Sequence, residues 1–274
     1  MAETAPSHNN KSFWNELCGS HLFSFLGLKE INKDSLAVFD KAYFKMYPYL
    51  KNYVRNEFLN AKDVLEIGLG FGSLSQHIMG SCKTYIGLDY SENPVKIVND
   101  RAEMSGLSAT AKALNGDARD LPFENEKFDT VVSIGCLHHT GDTRKTIDEL
   151  YRVLKPGGHA IIMLYNKNSF RKKIVNPYKY FVAKRRKKYD NYNEYTRASY
   201  DANAKGEAAP IVDLYSKKEI KELFARFSKI KIKTENFDNY LFVWFGKEIY
   251  WPREYFLKNL AKIMGLDLYI IATK

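Results

Sequence analysis

Several things are scarce in this chain. Cysteine occurs only as Cys18, Cys82 and Cys136. That odd, scattered set has no C-x-x-C spacing, which argues against a disulfide framework or a zinc site and makes a reduced, cytoplasmic compartment the expectation. Long apolar runs are missing: none approaches the roughly 20 residues that a membrane span needs. Residues Met1 to Lys11 are polar, so no signal pattern is expected there. Acids are absent from one long stretch, since Lys167 to Lys188 holds ten Lys/Arg and no Asp or Glu. The chain as a whole has 42 basic and 32 acidic residues, so that stretch carries the entire net charge of +10 and the remainder is balanced. Basicity confined to one segment argues against a fold built to cover nucleic acid.

What is present is an ordinary globular composition, 45% hydrophobic and 27% charged, in a 274-residue chain long enough for one large domain with appendages. Residues 1 to about 10 read as disordered. Helical patterning follows, rich in aromatics from Phe13 and Trp14 to Tyr47 and Tyr49. It predicts helices near 11–26 and 34–60, with Pro48 opening or kinking one. Strands and helices then alternate. Strands are expected at 63–67, 84–89, 111–115, 129–134 and 159–165, and helices at about 72–79, 92–105 and 143–154. The last of these helices should stop at a turn, Pro156-Gly157-Gly158. Beyond the basic segment come a helix near 216–227, a strand at 229–235, an aromatic stretch at 237–256 and a last strand at 267–272. Continuous apolar strands between amphipathic helices predict a parallel sheet covered on both faces.

The most informative stretch is Val64-Leu-Glu-Ile-Gly-Leu-Gly-Phe-Gly-Ser-Leu-Ser75. An apolar run ends in an acid, Glu66, and then turns through Gly68, Gly70 and Gly72 into a helix-compatible segment. Strand, tight turn and helix start let the backbone approach a nucleoside cofactor, and glycine is needed where a side chain would block the ligand or forbid the dihedrals. A dinucleotide fingerprint would place its third glycine where Ser73 stands. Gly-x-Gly-x-Gly after an acid instead resembles motif I of class I S-adenosylmethionine (SAM) methyltransferases.

Four further blocks strengthen that resemblance. Tyr85-Ile-Gly-Leu-Asp89 ends a strand in an acid able to take both ribose hydroxyls. Asn115-Gly-Asp-Ala-Arg-Asp-Leu-Pro-Phe123 is similar to the motif whose Asp and following N–H read the adenine edge, here Asp117 and Ala118. Phe128-Asp-Thr-Val-Val-Ser-Ile-Gly-Cys-Leu-His-His139 resembles motif IV, and Glu149-Leu-Tyr-Arg-Val-Leu-Lys-Pro-Gly-Gly158 resembles the helix and turn that follow it. All five occur in order over residues 61–165, most like the ubiquinone/menaquinone-biosynthesis type of small-molecule methyltransferase. The N-terminal block Phe13-Trp-Asn-Glu-Leu-Cys-Gly-Ser20, the Tyr47-Pro48 region and Asp213-Leu-Tyr-Ser216 look like parts of a bacterial subgroup of that type. The chain departs from the subgroup at Ala42-Tyr43, where an Arg-Tyr pair is expected.

The resemblance implies an α/β, Rossmann-like class I methyltransferase fold: a mostly parallel seven-stranded sheet with helices on both faces. It carries an N-terminal helical cap (1–60), a SAM-binding core (61–165), a basic insertion or lid after strand five (166–210) and a C-terminal part of the core with an aromatic insertion (211–274). It also implies roles. Glu66 and the backbone around Gly68, Gly70 and Gly72 would meet the methionine part of SAM, and Gly135 would offer a carbonyl to its ammonium. Asp89 would bind ribose, Tyr90 would pack on the adenosine, and Asp117 and Ala118 would read adenine. The product would be S-adenosylhomocysteine, and no metal is expected.

Methyl transfer needs a nucleophile held in line behind the methyl, and a base only when that nucleophile arrives protonated. His138 and His139, at the end of the motif-IV block, are the catalytic candidates because histidine titrates in the useful range. The competing reading makes one of them a packing residue on the cofactor and the other structural. A metal site of His138, His139 and Asp142 is disfavoured, because adjacent histidines on an extended chain point apart. Aromatics of the N-terminal segment and of 237–256 either cap the substrate pocket or only bury added elements against the core. The segment 167–188 reads as a solvated lid, as a face for anionic lipid or an acidic substrate, or, least favoured, as a nucleic-acid contact. The expected acceptor is a small molecule methylated on O, N or S, in a cytoplasmic protein that is peripheral to the membrane if the basic segment binds lipid. The alternatives are an RNA or protein methyltransferase and a non-catalytic SAM-binding regulator. Gly135-Cys-Leu-His-His139 stands where amino-group methyltransferases of nucleic acid and protein carry Asn-Pro-Pro-Tyr or Asp-Pro-Pro-Tyr.

Overall fold

A computed structural model of the chain describes residues 5–18, 21–182, 188–203, 205–244 and 247–274. Gly19-Ser20 of the N-terminal block, the tract Lys184-Arg185-Arg186-Lys187 and Phe245 lie outside the described residues. The strands are β1 (Asp63–Ile67), β2 (Thr84–Asp89), β3 (Ala111–Asn115), β4 (Phe128–Ile134), β5 (Leu154–Tyr165), β6 (Lys229–Glu235), β7 (Tyr240–Trp244), β8 (Lys247–Trp251) and β9 (Asp267–Thr273). Seven of them form one sheet in the order β3-β2-β1-β4-β5-β9-β6. The first five pair in parallel, and β9 runs antiparallel between β5 and β6.

The helices are α1 (Ala5–Leu17), α2 (Leu22–Phe25), α3 (Lys33–Met46), α4 (Asn56–Leu59), α5 (Ser73–Met79), α6 (Glu92–Met104), α7 (Thr143–Val153), α8 (Tyr192–Tyr200), α9 (Lys217–Leu223) and α10 (Ala261–Met264). Side-chain alternation along each strand feeds two cores. Leu65, Ile67, Val131, Ile162 and Ile270 bury against Ile147, Leu150 and Val153 of α7 and Ile220 of α9. Val64, Val132, Ile161 and Tyr269 bury against Ile78 of α5 and Val98 of α6 on the other face. Each such aliphatic side chain contributes about 1.5–3 kcal/mol on leaving water. The α7 stripe at i, i+3 and i+6 follows the helical period, and Asp142 caps its start by accepting from the Lys145 N–H at 2.9 Å.

Three expectations are corrected. The long helix 34–60 stops at Met46, because Pro48 disfavours helical backbone at Tyr47, whose φ and ψ are −119° and 64°. The helix expected over 11–26 is interrupted at Cys18, which has φ 45°. Pro156-Gly157-Gly158 is not a turn between elements but a bulge inside β5. The register with β4 slips between Phe128 and Thr130, and Gly157 adopts φ 74°. A bulge tolerates the proline because the residue it carries is unpaired in the ladder. Of the two readings of the aromatic stretch 237–256, its described residues favour burial as an added element, since Phe237, Tyr240 and Phe256 share a small core of their own. It contains the antiparallel hairpin β7–β8, and Phe237, Tyr240 and Trp251 pack on Phe170. Among the described residues, no helix is long and apolar enough to cross a membrane.

Candidate functional site

The strand order reverses between β1 and β4, and in such sheets ligands bind beyond the carboxyl ends of the strands at the reversal. A cavity of about 290 Å³ lies there, near the lower limit for small-molecule sites. Glu66, Gly68, Gly70, Gly72, Asp89, Tyr90, Asp117, Ala118 and Gly135 all line it. They come from four strand ends that the parallel sheet places side by side.

The glycines are needed by the geometry. Gly68 has φ 83°, and a Cβ there would fall 2.3 Å from the Cys136 Cβ across the crevice. Gly72 has φ 73°, and its Cβ would fall 2.9 Å from Val98 and from the Arg101 side chain. Ser73, which also lines the cavity, donates from its Oγ to Asp40 at 2.5 Å. The nearly buried Arg101 clamps the same carboxylate with two N–H bonds of 2.7 and 3.0 Å and donates to the Phe71 carbonyl at 2.8 Å. α3 is thereby tied to the glycine loop, a support that no local motif announces.

Three acids have distinct states. Asp89 accepts the Leu69 N–H and the Ser91 N–H, each at 2.8 Å and on different oxygens. Each oxygen keeps a further lone pair for a ligand hydroxyl. Burial raises the Asp89 carboxyl, against the opposing pull of those N–H bonds. Glu66 is buried, accepts the Tyr85 hydroxyl at 2.6 Å and is pushed up to about 7 by burial. Burial also acts on Asp117, but the Arg119 guanidinium (Nη2 to Oδ2, 2.6 Å) and its N–H outweigh it and hold the carboxyl below its ordinary range. Arg119 escaped the motif reading although it sits inside the quoted block. The cleared glycine cradle and the spare lone pairs of Asp89 fit a SAM-type cofactor. Burial pushes the Cys136 thiol up and keeps it protonated, which suits a wall residue.

The two histidines part company. His139 lines the cavity, whereas His138 is fully buried behind it, its ring 4.0 Å from that of Tyr165 and 4.1 Å from that of His139. Neither ring nitrogen of His138 has a hydrogen-bond partner among the described residues. Desolvation, reinforced by His139, holds it neutral. His139 is fixed on several sides. Its Nδ1 lies 2.7 Å from the Ile211 carbonyl, Trp14 packs over the ring at 4.4 Å between centroids, and Asn10 donates to its carbonyl at 2.8 Å. Burial lowers its proton affinity, while Asp201, 3.7 Å from Nε2, pulls the other way. Asn10, Trp14, Tyr43, Tyr47, Tyr165, Asp201 and Ile211 complete the wall. Of these, only the N-terminal aromatics were candidates from sequence. Asp201 and Ile211 reach the site from a segment with no recognisable motif.

Residues 65–162 match the family described as Methyltransferase domain. The chain is similar to the phthiotriol/phenolphthiotriol dimycocerosates methyltransferase of Mycobacterium leprae, 34% identical over 103 residues, 37% of either protein. It is also similar to norajmaline N-methyltransferase of Rauvolfia serpentina, 34% identical over 108 residues, which cover 38% of this chain and 36% of that one. The matches span little more than a third of these curated relatives' length. A SAM-dependent methyltransferase structure from Methanosarcina mazei superposes with a TM-score of 0.51 at 19% identity, covering 83% of this chain and 97% of that one. At that identity the likeness is one of fold.

Proposed function

We propose that this chain, whose residues 65–162 match a methyltransferase domain, is a class I SAM-dependent methyltransferase that transfers a methyl group from SAM to an oxygen, nitrogen or sulfur atom of a small-molecule acceptor by in-line displacement. The observation that carries the reading is the convergence of all nine motif residues on one cavity at the reversal of the sheet. Relatives named for phthiotriol dimycocerosates and norajmaline support a small-molecule acceptor. Bound SAM supplies a methyl already activated on a sulfonium. The protein's task is then to position the acceptor, exclude water and take up a proton where one is shed. Glu66 and the Gly68–Gly72 loop would hold the methionine end, Asp89 the ribose, and Asp117 and Ala118 the adenine. His139 would serve as base, with His138 as its packing support.

The N-terminal segment 1–60 acts as a cap in this reading, supported by Asn10, Trp14, Tyr43 and Tyr47 in the cavity wall, and 166–210 acts as a lid, supported by Asp201. Calorimetric titration with S-adenosylhomocysteine tests the site, and methyl-labelled SAM with a panel of phenols, quinols, amines, thiols and total RNA tests the acceptor. Binding with transfer to a small molecule is expected. Absence of binding sinks the cofactor assignment, and transfer to RNA alone sinks the acceptor class.

A second reading concerns location: a cytoplasmic protein peripheral to an anionic membrane surface. It is supported by exposed Ile174, Phe181 and Val182 among the lysines of 167–188, whereas Val175 and Tyr180 turn inward. Such an arrangement suits an interfacial segment. Sedimentation with phosphatidylserine vesicles, lost in high salt and absent with phosphatidylcholine, is the expected result; equal behaviour with both lipids overturns it.

A further inference from the structure

Within the cavity two buried polar atoms face each other without hydrogen-bond partners among the described residues: Nε2 of His139 and Oδ2 of Asp201, 3.7 Å apart. Both are acceptors. His139 Nδ1 lies 2.7 Å from the Ile211 carbonyl, which can only accept, so the ring proton sits on Nδ1 and Nε2 presents a lone pair. Asp201 Oδ1 takes the Tyr165 hydroxyl at 3.2 Å, leaving Oδ2 open. Buried acceptors left unpaired are costly, and a separation of 3.7 Å is too long for them to satisfy each other.

We infer that this pair is the acceptor-binding site of the methyltransferase and that it takes a small primary or secondary amine, held as its ammonium between Asp201 and His139. The inference rests on the function proposed above. One nitrogen about 2.9 Å from each atom, carrying two N–H bonds, satisfies both acceptors. A hydroxyl or thiol has one proton and leaves one of them unpaired. A carboxylate or phosphate offers none and meets the Asp201 charge. The Trp14 and Tyr165 rings, both in the cavity wall, add faces that attract a cation.

The same geometry handles the proton. The ammonium passes one proton to His139 Nε2, and the imidazolium so formed is stabilised by Asp201. The nitrogen lone pair then forms the N–C bond to the methyl carbon as the C–S bond breaks, its electron pair remaining on sulfur. The product leaves as an N-methylated ammonium, and His139 returns its proton to solvent. Asp201 is thus a catalytic residue in contact with the acceptor, contributed by a segment that carries no methyltransferase motif.

The test uses the full chain saturated with S-adenosylhomocysteine and compares benzylamine with benzyl alcohol by calorimetry, in wild type and Asp201→Asn. Benzylamine is expected to bind the wild type at least tenfold more tightly than the alcohol, and Asp201→Asn to remove that preference while S-adenosylhomocysteine affinity stays within twofold. Equal or weaker binding of the amine to wild type overturns the inference whatever the variant does, and so does a preference that survives in a folded variant. A wild type that fails to bind S-adenosylhomocysteine brings down the proposed function instead.

Discussion

The two walls of the cavity are built on different principles. The cofactor wall comes from strand ends: Gly68, Asp89, Asp117 and Gly135 each follow or end a strand of one parallel sheet. The acceptor wall is assembled across the chain. Asn10 bonds the His139 backbone over 129 positions of sequence, and the Ile211 carbonyl holds the His139 ring over 72. In the first wall glycine backbone and strand-end carboxylates meet the ligand, so dihedrals, close approach and charge limit each position to one or two residue types. In the second wall side chains do it, and many sequences could supply them.

That contrast predicts a graded response to mutation. The largest effect belongs to Gly68→Val. The new side chain must displace Cys136 and adopt φ 83°, so S-adenosylhomocysteine affinity should fall at least about 100-fold, or ~3 kcal/mol. Titration beside a melting curve separates this from unfolding, and retained affinity would remove the cradle. His139→Ala attacks the other wall. Turnover with a protonated acceptor should drop by about 10²-fold, the low end for loss of a general base, with cofactor affinity within twofold. Loss of cofactor binding instead would mean that the two walls are not separable.

Next comes the pH dependence of stability in the unliganded protein. Glu66 is raised from 4.5 to about 7 by burial, so its protonated form favours the fold. That contribution is complete below pH 4.5 and is lost as pH rises through about 7. Its size is about 3 kcal/mol. Glu66→Gln should flatten this part of a stability–pH curve measured by urea denaturation; an unchanged slope would place the titration elsewhere, for instance at Asp267, which burial also raises to about 7. Asp89→Ala, which removes the acceptor assigned to the ribose hydroxyls and orphans the Leu69 and Ser91 N–H groups, should weaken S-adenosylhomocysteine binding about tenfold. The smallest effect is expected for His138→Phe. A ring with two unpartnered nitrogens gives way to an apolar ring of similar shape, and turnover and melting temperature should barely move. A large loss of turnover there would restore His138 as a participant.

Much of the core was legible because its constraints are local. The strands at 63–67, 84–89 and 111–115 stand where apolar runs between turn signals place them, and the seven-stranded sheet follows. The helix breaks at Cys18 and Met46 were harder to read, since helical periodicity continues through them. Composition left open whether residues 237–256 cap the pocket or bury an added element; Phe237, Tyr240 and Phe256 join Phe170 in a separate small core. Arg101 and Asp40 gave no signal either, because a salt bridge spanning 61 positions leaves no local pattern.

By itself the sequence determined the α/β order, the glycine turns and the acids at the strand ends, because backbone dihedrals, strand periodicity and close approach to a ligand restrict residue type position by position. Packing alone selects which histidine faces the cavity and sets Asp201 3.7 Å from it. Those facts depend on where a loop near Ile211 and the end of α8 come to rest against β5 and the N-terminal helix. Burial sets that placement, and burial is a property of the packed molecule rather than of any short stretch of chain.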